Sequence, residues 1–584
     1  MPGNKSSRSE WSAQSARVSA SLLIFFLSAV VYLSNSKTIR FTDTIATAYI
    51  PASIITERNF DLDEFRGPHE IEFPMMNLNG HWYSYYPAGT ALLAMPVYAV
   101  HRAAGGRFND ESIYYLEKYS AVLIMAASVV VIFLAAEKIA GIWISLFIAF
   151  VYAFATSSWS TSSQALWQHT SSQFFNSLVI YLLLSGLAER KYLKFAGLAC
   201  SFAIVCRPTN FMVFIVTAIY VLYALGFKSL LRFLSLTPLV LGVLLFYNFY
   251  IYHNVFGGYQ FVVGPSSWKN NIFEGLAGLT INPSRGIFVY SPVLILSLIG
   301  FIFSFRKKEY DFYKYAGVVC AAYILLFSTW FMWWGGDSYG PRMLADILPF
   351  MVILMVPALV KYKNLPVFTG TVVVLTVFSI WVQFGGAFFW GTGRDITTGL
   401  KENNTEKLWR WDDSQLLNTL KLSLKGAGTV PERKNRVIYP VSGMIKFDRG
   451  ETERYFGKGW SQVEDWGTWA VGRKSELFFR FTDKTKNKLE IKALGVNDGN
   501  INQEMKVYFN GKYIKTCVFT RPLFYYCVFK IAVPPRLIKN GINEIKFVYK
   551  NVKRASYCDT RMISAGFKYI RFSAGKTLTE QARR

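Results

Sequence analysis

About eleven apolar stretches of membrane-spanning length crowd the first 390 residues of this 584-residue chain, and that pattern leaves few folds open to it. In hydrocarbon every backbone N–H and C=O must be bonded inside the protein, so spans of this kind are helices. They are expected at roughly 20–35, 119–136, 142–158, 170–188, 192–206, 209–226, 233–252, 286–305, 315–334, 343–360 and 366–386. A composition of 52% hydrophobic and 17% aromatic residues is too apolar for an ordinary soluble chain of this length. The run Ser21–Leu33 lacks a small-residue cleavage site and reads as a retained first span.

The pattern breaks near Trp390. Beyond it the charge density rises, and about +18 of the formal net charge of +26 lies from Gly391 onward. The expected organisation is a transmembrane domain over 1–390, a polar connector over 391–439 with a helix near Ser414–Leu424, and an all-β domain over 440–584. Segments Ser475–Phe481, Lys488–Leu494, Glu504–Phe509, Lys512–Phe519, Tyr525–Ala532, Glu544–Tyr549 and Gly566–Phe572 are strand-like. Asn510-Gly511 between two of them signals a hairpin, and seven short strands suggest a sandwich. On a membrane-tethered domain such basicity favours anionic lipid or glycan as partner over nucleic acid.

Lys and Arg in the short loops set the orientation. Lys138, Arg190, Lys191, Lys194, Lys228, Arg232, Arg306, Lys307, Lys308, Lys314, Lys361 and Lys363 fall on one side if Pro87–Val100 does not cross. Lys5, Arg8 and Arg17 lie there too, so that side is expected to be the cytoplasm. Pro87–Val100, about fourteen residues, then reads as a helix in the outer interface. The first loop, 36–118, and the β domain are expected outside.

Chemistry-bearing residues gather on that outer face. Asp43 follows the first span, and Asp61, Asp63 and Glu64 lie further along the same loop, before Tyr86-Pro87. His169 stands in Leu166-Trp167-Gln168-His169, and Arg207 interrupts two apolar runs in Cys206-Arg207-Pro208. Arg285 lies in Asn282-Pro283-Ser284-Arg285-Gly286, and Asp337 and Arg342 in Trp333-Trp334-Gly335-Gly336-Asp337-Ser338-Tyr339-Gly340-Pro341-Arg342. Carboxylates suit acid–base work, and arginines suit a phosphate. Bland roles compete: Asp43 as a helix cap, Arg207 as an interfacial anchor, His169 as a packed residue, and Trp330, Trp333 and Trp334 as an interfacial belt. Among the six cysteines, Cys200, Cys206 and Cys320 read as buried residues of spans; Cys558 lies in the outer domain. Cys517 and Cys527 are spaced so that a hairpin would allow a disulfide. No compact metal-ligand set is apparent, so the expected cofactor is none and metal is expected to be dispensable.

From about Ala20 to Trp390 this order of motifs resembles the GT-C class of integral membrane glycosyltransferases, which includes protein O-mannosyltransferases and lipid A aminoarabinose transferases. The resemblance implies a polyprenyl-phosphate sugar as donor, a glycan or glycolipid acceptor, and Asp43 as the first-loop acid acting on that acceptor. It implies that Tyr86-Pro87 opens the loop's juxtamembrane helix and that Arg207 is the basic residue before a Pro-containing turn, with Arg342 and Arg285 as further phosphate contacts. Asp61, Asp63, Glu64, Tyr86, His169 and Asp337 are candidate substrate contacts. The class often pairs Asp with Glu where this chain has Asp43-Thr44, so a second acid would come from Asp61, Asp63 or Glu64, or be absent. Gly459-Trp460-Ser461 through Trp466-Gly467-Thr468-Trp469 resembles the entry of a β-sandwich appended to some bacterial membrane glycosyltransferases. The expected function is inverting sugar transfer at the outer face of a bacterial cytoplasmic membrane. The alternatives are a lipid-linked glycan transporter and a glycan ligase.

Overall fold

In the computed structural model the described residues are 4–574, except 36, 66–74, 262, 307–309, 337, 391–404, 413, 426–439, 442, 449, 465–466, 482–486, 497–501, 521–525 and 555–561. Expectations on Asp337, Trp466, Cys558, most of the connector and the Arg521-Pro522 turn therefore lie outside them. The chain divides into two units, Met1–Ala427 and Gly428–Arg584.

The first unit is helical. Its leading elements are α1 (Asn4–Leu33), α2 (Thr42–Thr56), α3 (Gly89–Ala103), α4 (Asp110–Glu137), α5 (Ile142–Phe154), α6 (Gln168–Ala188), α7 (Leu193–Cys206) and α8 (Phe211–Leu225). Each of the eleven expected stretches contains a helix. Six helices among the described residues are long and apolar enough to cross a membrane: Gln14–Leu33, α4, α6, Pro208–Leu225, Arg342–Tyr362 and Pro366–Phe389. The pair Phe227–Leu234 and Thr237–Tyr252, bent by 43°, adds a seventh if it is one span. Ile142–Phe154, Ile272–Ile281 and Pro292–Ser304 are shorter apolar helices. Of the eleven expected stretches, six hold such a long helix, 233–252 holds the second half of the bent pair, 142–158 and 286–305 hold shorter apolar helices, and α7 and Asp311–Ser328 occupy the other two.

At the centre, α4 packs on α1, α5 and α6, and α6 on α7. Their shared core joins small residues such as Ala126, Ala149 and Ala196 to large ones such as Phe133 and Tyr152. The small residues let helices approach where apolarity alone supplies no drive. The helix Gln415–Lys425, within the expected connector, packs on Pro366–Phe389 and buries Leu416 and Leu420, so it belongs to the helical unit.

The first loop is structured. Strands β1 (Met75–Leu78) and β2 (His81–Ser84) form an antiparallel hairpin whose turn residues, Asn79 and Gly80, take φ of 54° and 95°. Next, α3 follows as a separate helix. A side chain at Gly89 would overlap the backbone oxygen of Val205, 2.6 Å from an added Cβ, so only glycine lets α3 start against the end of α7.

The second unit is a two-sheet sandwich. One sheet orders Lys512–Val518, Glu504–Phe509, Asn543–Tyr549, Lys474–Phe481 and Pro440–Val441; the other orders Cys527–Ala532, Lys488–Gly495, Met562–Ser573, Gly467–Val471 and Trp460–Glu464, with two further strands on Met562–Ser573. Alternation such as Lys474–Phe481, buried at every second residue over Ser475–Phe479, sends Leu477 and Phe479 into the common core. Asn510 and Gly511 turn the expected hairpin, with φ of 50° and 80°. The disulfide does not form: Cys517 and Cys527 are buried free thiols, because their strands lie in different sheets instead of pairing as one hairpin. Trp460 is core, its Nε1 donating to the Glu476 carbonyl at 2.6 Å.

Candidate active site

Asp43 sits in the first turn of α2, where its charge suits the helix dipole, but it is no cap: the N-cap is Phe41. Its carboxylate turns sideways. Oδ2 is ion-paired with Arg342 Nη1, and Oδ1 accepts the Tyr86 hydroxyl at 3.1 Å. Burial pushes the carboxyl up, but the Arg342 guanidinium, with the bonds from Arg342 and Tyr86, outweighs it and holds the group below the usual carboxylate range. Asp43 is thus ionised at neutral pH, and 28% of its side-chain surface stays open to an incoming group.

Arg342 is delivered by a glycine-rich turn. Gly335, Gly336 and Gly340 take φ of 75°, 64° and 61°, which side chains rarely adopt. Arg342 also donates to the Gly335 carbonyl and lies over the Trp167 ring, 4.7 Å from its centroid. Its Nε is buried and has no hydrogen-bond partner among the described residues.

Tyr86 joins two clusters. Burial, then the Asp43 charge, raises its pKa, so it remains a donor. Its ring meets Tyr259 edge-on at 5.9 Å, and the Tyr259 hydroxyl donates to Gln168 Oε1 at 2.6 Å. Gly258 makes this contact possible, because an added Cβ would stand 2.5 Å from the Tyr85 carbonyl oxygen. The next residue, His169, begins the second cluster.

There Arg207 Nη1 lies 3.2 Å from His169 Nε2, and His169 Nδ1 lies 3.0 Å from Asp346 Oδ2. An arginine donates only, so Nε2 must be bare and the imidazole proton must sit on Nδ1, facing the carboxylate. Arg207 Nε is 3.2 Å from the same Oδ2, which also accepts the Tyr323 hydroxyl at 2.7 Å. Arg207 is extended, as a residue before proline is inclined to be, and Pro208–Asn210 turns at once into α8. Asn210 braces that turn by donating to Ser172 Oγ and the Ala203 carbonyl.

The expected residues therefore divide. Asp43, Tyr86 and Arg342 meet directly, and Tyr259 and Gln168 link them to His169 and Arg207. Arg285 departs from the expected phosphate contact: it is 1% exposed and donates to Gln415 and to the carbonyls of Ser284, Trp334 and Gly336, bracing the glycine turn. Asp61 and Asp63 face His81 on β2, while Glu64 lies on an exposed 3-10 turn. Trp333 and Trp334 are buried against Leu408, so neither belongs to an interfacial belt nor offers a face to a sugar.

Sequence reading missed two acids. Asp346 stood unremarked in Leu344-Ala345-Asp346-Ile347, although a lone carboxylate in an apolar run is itself a signal. Glu117, fully buried near the start of α4, lies 3.6 Å from Arg40 Nη1 and accepts the Leu166 N–H at 3.2 Å. It ties the segment before Asp43 to the segment before Trp167.

No family model matches the sequence, and no curated protein matches it. Among solved structures the chain is similar to ArnT from Cupriavidus metallidurans bound to undecaprenyl phosphate, at 14% identity and TM-score 0.39, over 65% of this chain and 71% of that one. It is also similar to the Archaeoglobus fulgidus oligosaccharyltransferase tethered with an acceptor peptide, at 10% identity and TM-score 0.39, over 74% of this chain and 63% of that one. The chain thus spans less than two thirds of the oligosaccharyltransferase. Likenesses this distant lend the chain neither residue roles nor an activity.

Proposed function

We propose that the protein is a membrane glycosyltransferase that moves a sugar from a polyprenyl-phosphate donor to a glycan or glycolipid acceptor at the outer face of a bacterial cytoplasmic membrane. The observation that carries this reading is an ionised, partly open carboxylate, Asp43, paired with Arg342 and followed through Tyr86, Tyr259 and Gln168 to the adjoining His169, which meets a second arginine, Arg207, at the ends of apolar helices.

In the proposed step the acceptor hydroxyl attacks the anomeric carbon, its proton passes to Asp43, and the bond from that carbon to the phosphate oxygen breaks. The leaving polyprenyl phosphate takes the electron pair and gains a negative charge. Arg342 and Arg207 stabilise that charge, an effect worth most where water is excluded. Arg342 shares its guanidinium between Asp43 and a carbonyl, and its Nε has no hydrogen-bond partner among the described residues, so a turn of the side chain would bring a donor to the phosphate. As it turns to the phosphate, Asp43 loses its ion pair and becomes a stronger base. Asp346 and His169 hold Arg207 in place. Attack opposite the leaving group inverts the anomeric centre.

Charges within the helices bear on the transporter alternative, because a translocation route must solvate a polar headgroup. Glu117, Lys118 and Asp346 lie in such helices, but each is held by a partner: Arg40, the Gln164 side-chain oxygen and Arg207. They brace the mouth rather than line a route.

Mass spectrometry of envelope glycans from a deletion strain tests the function. The expected result is an acceptor lacking one sugar substituent, restored by the wild-type gene and not by Asp43→Asn. The same missing substituent with the lipid-linked sugar trapped on the inner leaflet would overturn transfer in favour of transport, and unchanged glycans would overturn both.

A further inference from the structure

Apart from the proposed active site, the first loop gathers a second group of donors. Asp61 and Asp63 follow α2, and His81 opens β2; one atom from each lies within 4.8 Å of the other two. His81 Nδ1 is 2.8 Å from Asp63 Oδ2 and 4.0 Å from Asp61 Oδ2. Zinc bound to imidazole nitrogen and carboxylate oxygen at about 2.0–2.2 Å sets neighbouring ligand atoms about 3–3.5 Å apart, between those two distances.

Asp61 supplies the independent sign of a ligand. It is only 7% exposed, and among the described residues the one hydrogen bond that its carboxylate accepts is a long contact, 3.5 Å, from the Asp63 N–H to Oδ1. A carboxylate that buried ordinarily satisfies both oxygens. Oδ2 accepts no hydrogen bond among the described residues and lies 4.0 Å from His81 Nδ1. Asp63 is already oriented, with Oδ1 accepting the Trp82 N–H at 2.8 Å and Oδ2 turned to His81. His81 and Asp63 are 58% and 37% exposed at the side chain, so water can complete the coordination.

We propose that Asp61, Asp63 and His81 bind one divalent transition-metal ion of the Zn²⁺ or Mn²⁺ type. Two carboxylates and an imidazole suit these borderline ions better than Ca²⁺ or Mg²⁺, which take oxygen alone. The ion joins the end of α2 to the β1–β2 hairpin, where the Leu62 N–H already donates to the Trp82 carbonyl at 2.8 Å. From β2 the chain runs through Ser84, whose Oγ accepts the Tyr86 N–H at 3.0 Å, to Tyr86, the donor to Asp43. The metal is thus structural and fixes the approach of Tyr86; it takes no part in bond making.

Binding of the metal alone tests this without reference to sugar transfer. The full-length protein is purified in detergent, stripped with a chelator and titrated with Zn²⁺, Mn²⁺ and Ca²⁺, following bound ion by equilibrium dialysis and the melting temperature. One Zn²⁺ or Mn²⁺ per chain with a raised melting temperature is expected, with at least a tenfold loss of affinity in His81→Ala and in Asp61→Asn. His81 is exposed, so the stripped His81→Ala protein should melt where the stripped wild type does. No binding by the wild type, equal binding by His81→Ala (an adventitious ion only), or Ca²⁺ matching Zn²⁺ would overturn the proposal.

Discussion

The Asp43–Arg342 pair sets a measurable property. A carboxyl held below its usual range stays ionised until the pH falls below that range, so the acid limb of kcat/KM should lie beneath the ordinary carboxylate value. Arg342→Gln removes the largest influence that lowers the pKa and leaves the burial that raises it. The acid limb should therefore move to higher pH, above the wild-type limb, with a lower plateau from lost phosphate contact. A pH–rate profile of the variant checks this; an unmoved limb would mean that the titrating group is not Asp43. Arg207 is checked through its charge: Arg207→Ala should raise the donor KM and lower kcat, and Arg207→Lys should recover part of the loss, because lysine restores charge without the planar fork. Unchanged values for both would reduce Arg207 to an anchor.

Elements matter because the site is assembled from segments far apart in sequence. Asp346→Asn would leave Arg207 buried beside a neutral partner, and breaking a buried pair in this way costs about 3–5 kcal/mol. A matching fall in the unfolding midpoint, absent for Arg17→Ala at an exposed pair, is the expected outcome. Gly89→Val forces the start of α3 away from Val205, two residues before Arg207, and should raise the donor KM more than it lowers expression. At this scale the sequence was informative unevenly. Continuous apolarity located every span, and the strand alternation and Asn510-Gly511 located the sandwich, because those signals are local. Asp43, Tyr86, Arg207 and Arg342 were legible as charged or polar residues at helix ends. What was not legible was partnership: that Asp346 answers Arg207, that Arg285 faces backbone carbonyls, and that Cys517 and Cys527 lie in different sheets. Each depends on which distant elements pack together, and no spacing in the chain encodes it.

At the scale of the whole molecule, the charge of the short loops predicts the orientation. Cysteines placed at Asn77 on β1, at Lys512 in the sandwich and at Lys228 between two apolar helices, all exposed positions, report it. An impermeant maleimide added to intact spheroplasts should label the first two and spare the third; protection of either of the first two would reverse the topology. The five described cysteines are all buried, and Cys558 is replaced by serine so that it contributes no label.

The most direct test of the proposed chemistry is a single-turnover measurement with purified protein and a short-chain, water-soluble polyprenyl-phosphate sugar, comparing wild type with Asp43→Asn at saturating donor. With Asp43 as the base, the variant should keep its donor affinity within a few-fold and lose about 10²–10⁴ in the rate of transfer, the usual range for a positioned general base. A variant that folds, binds donor and transfers sugar at more than about a tenth of the wild-type rate would contradict the role given to Asp43.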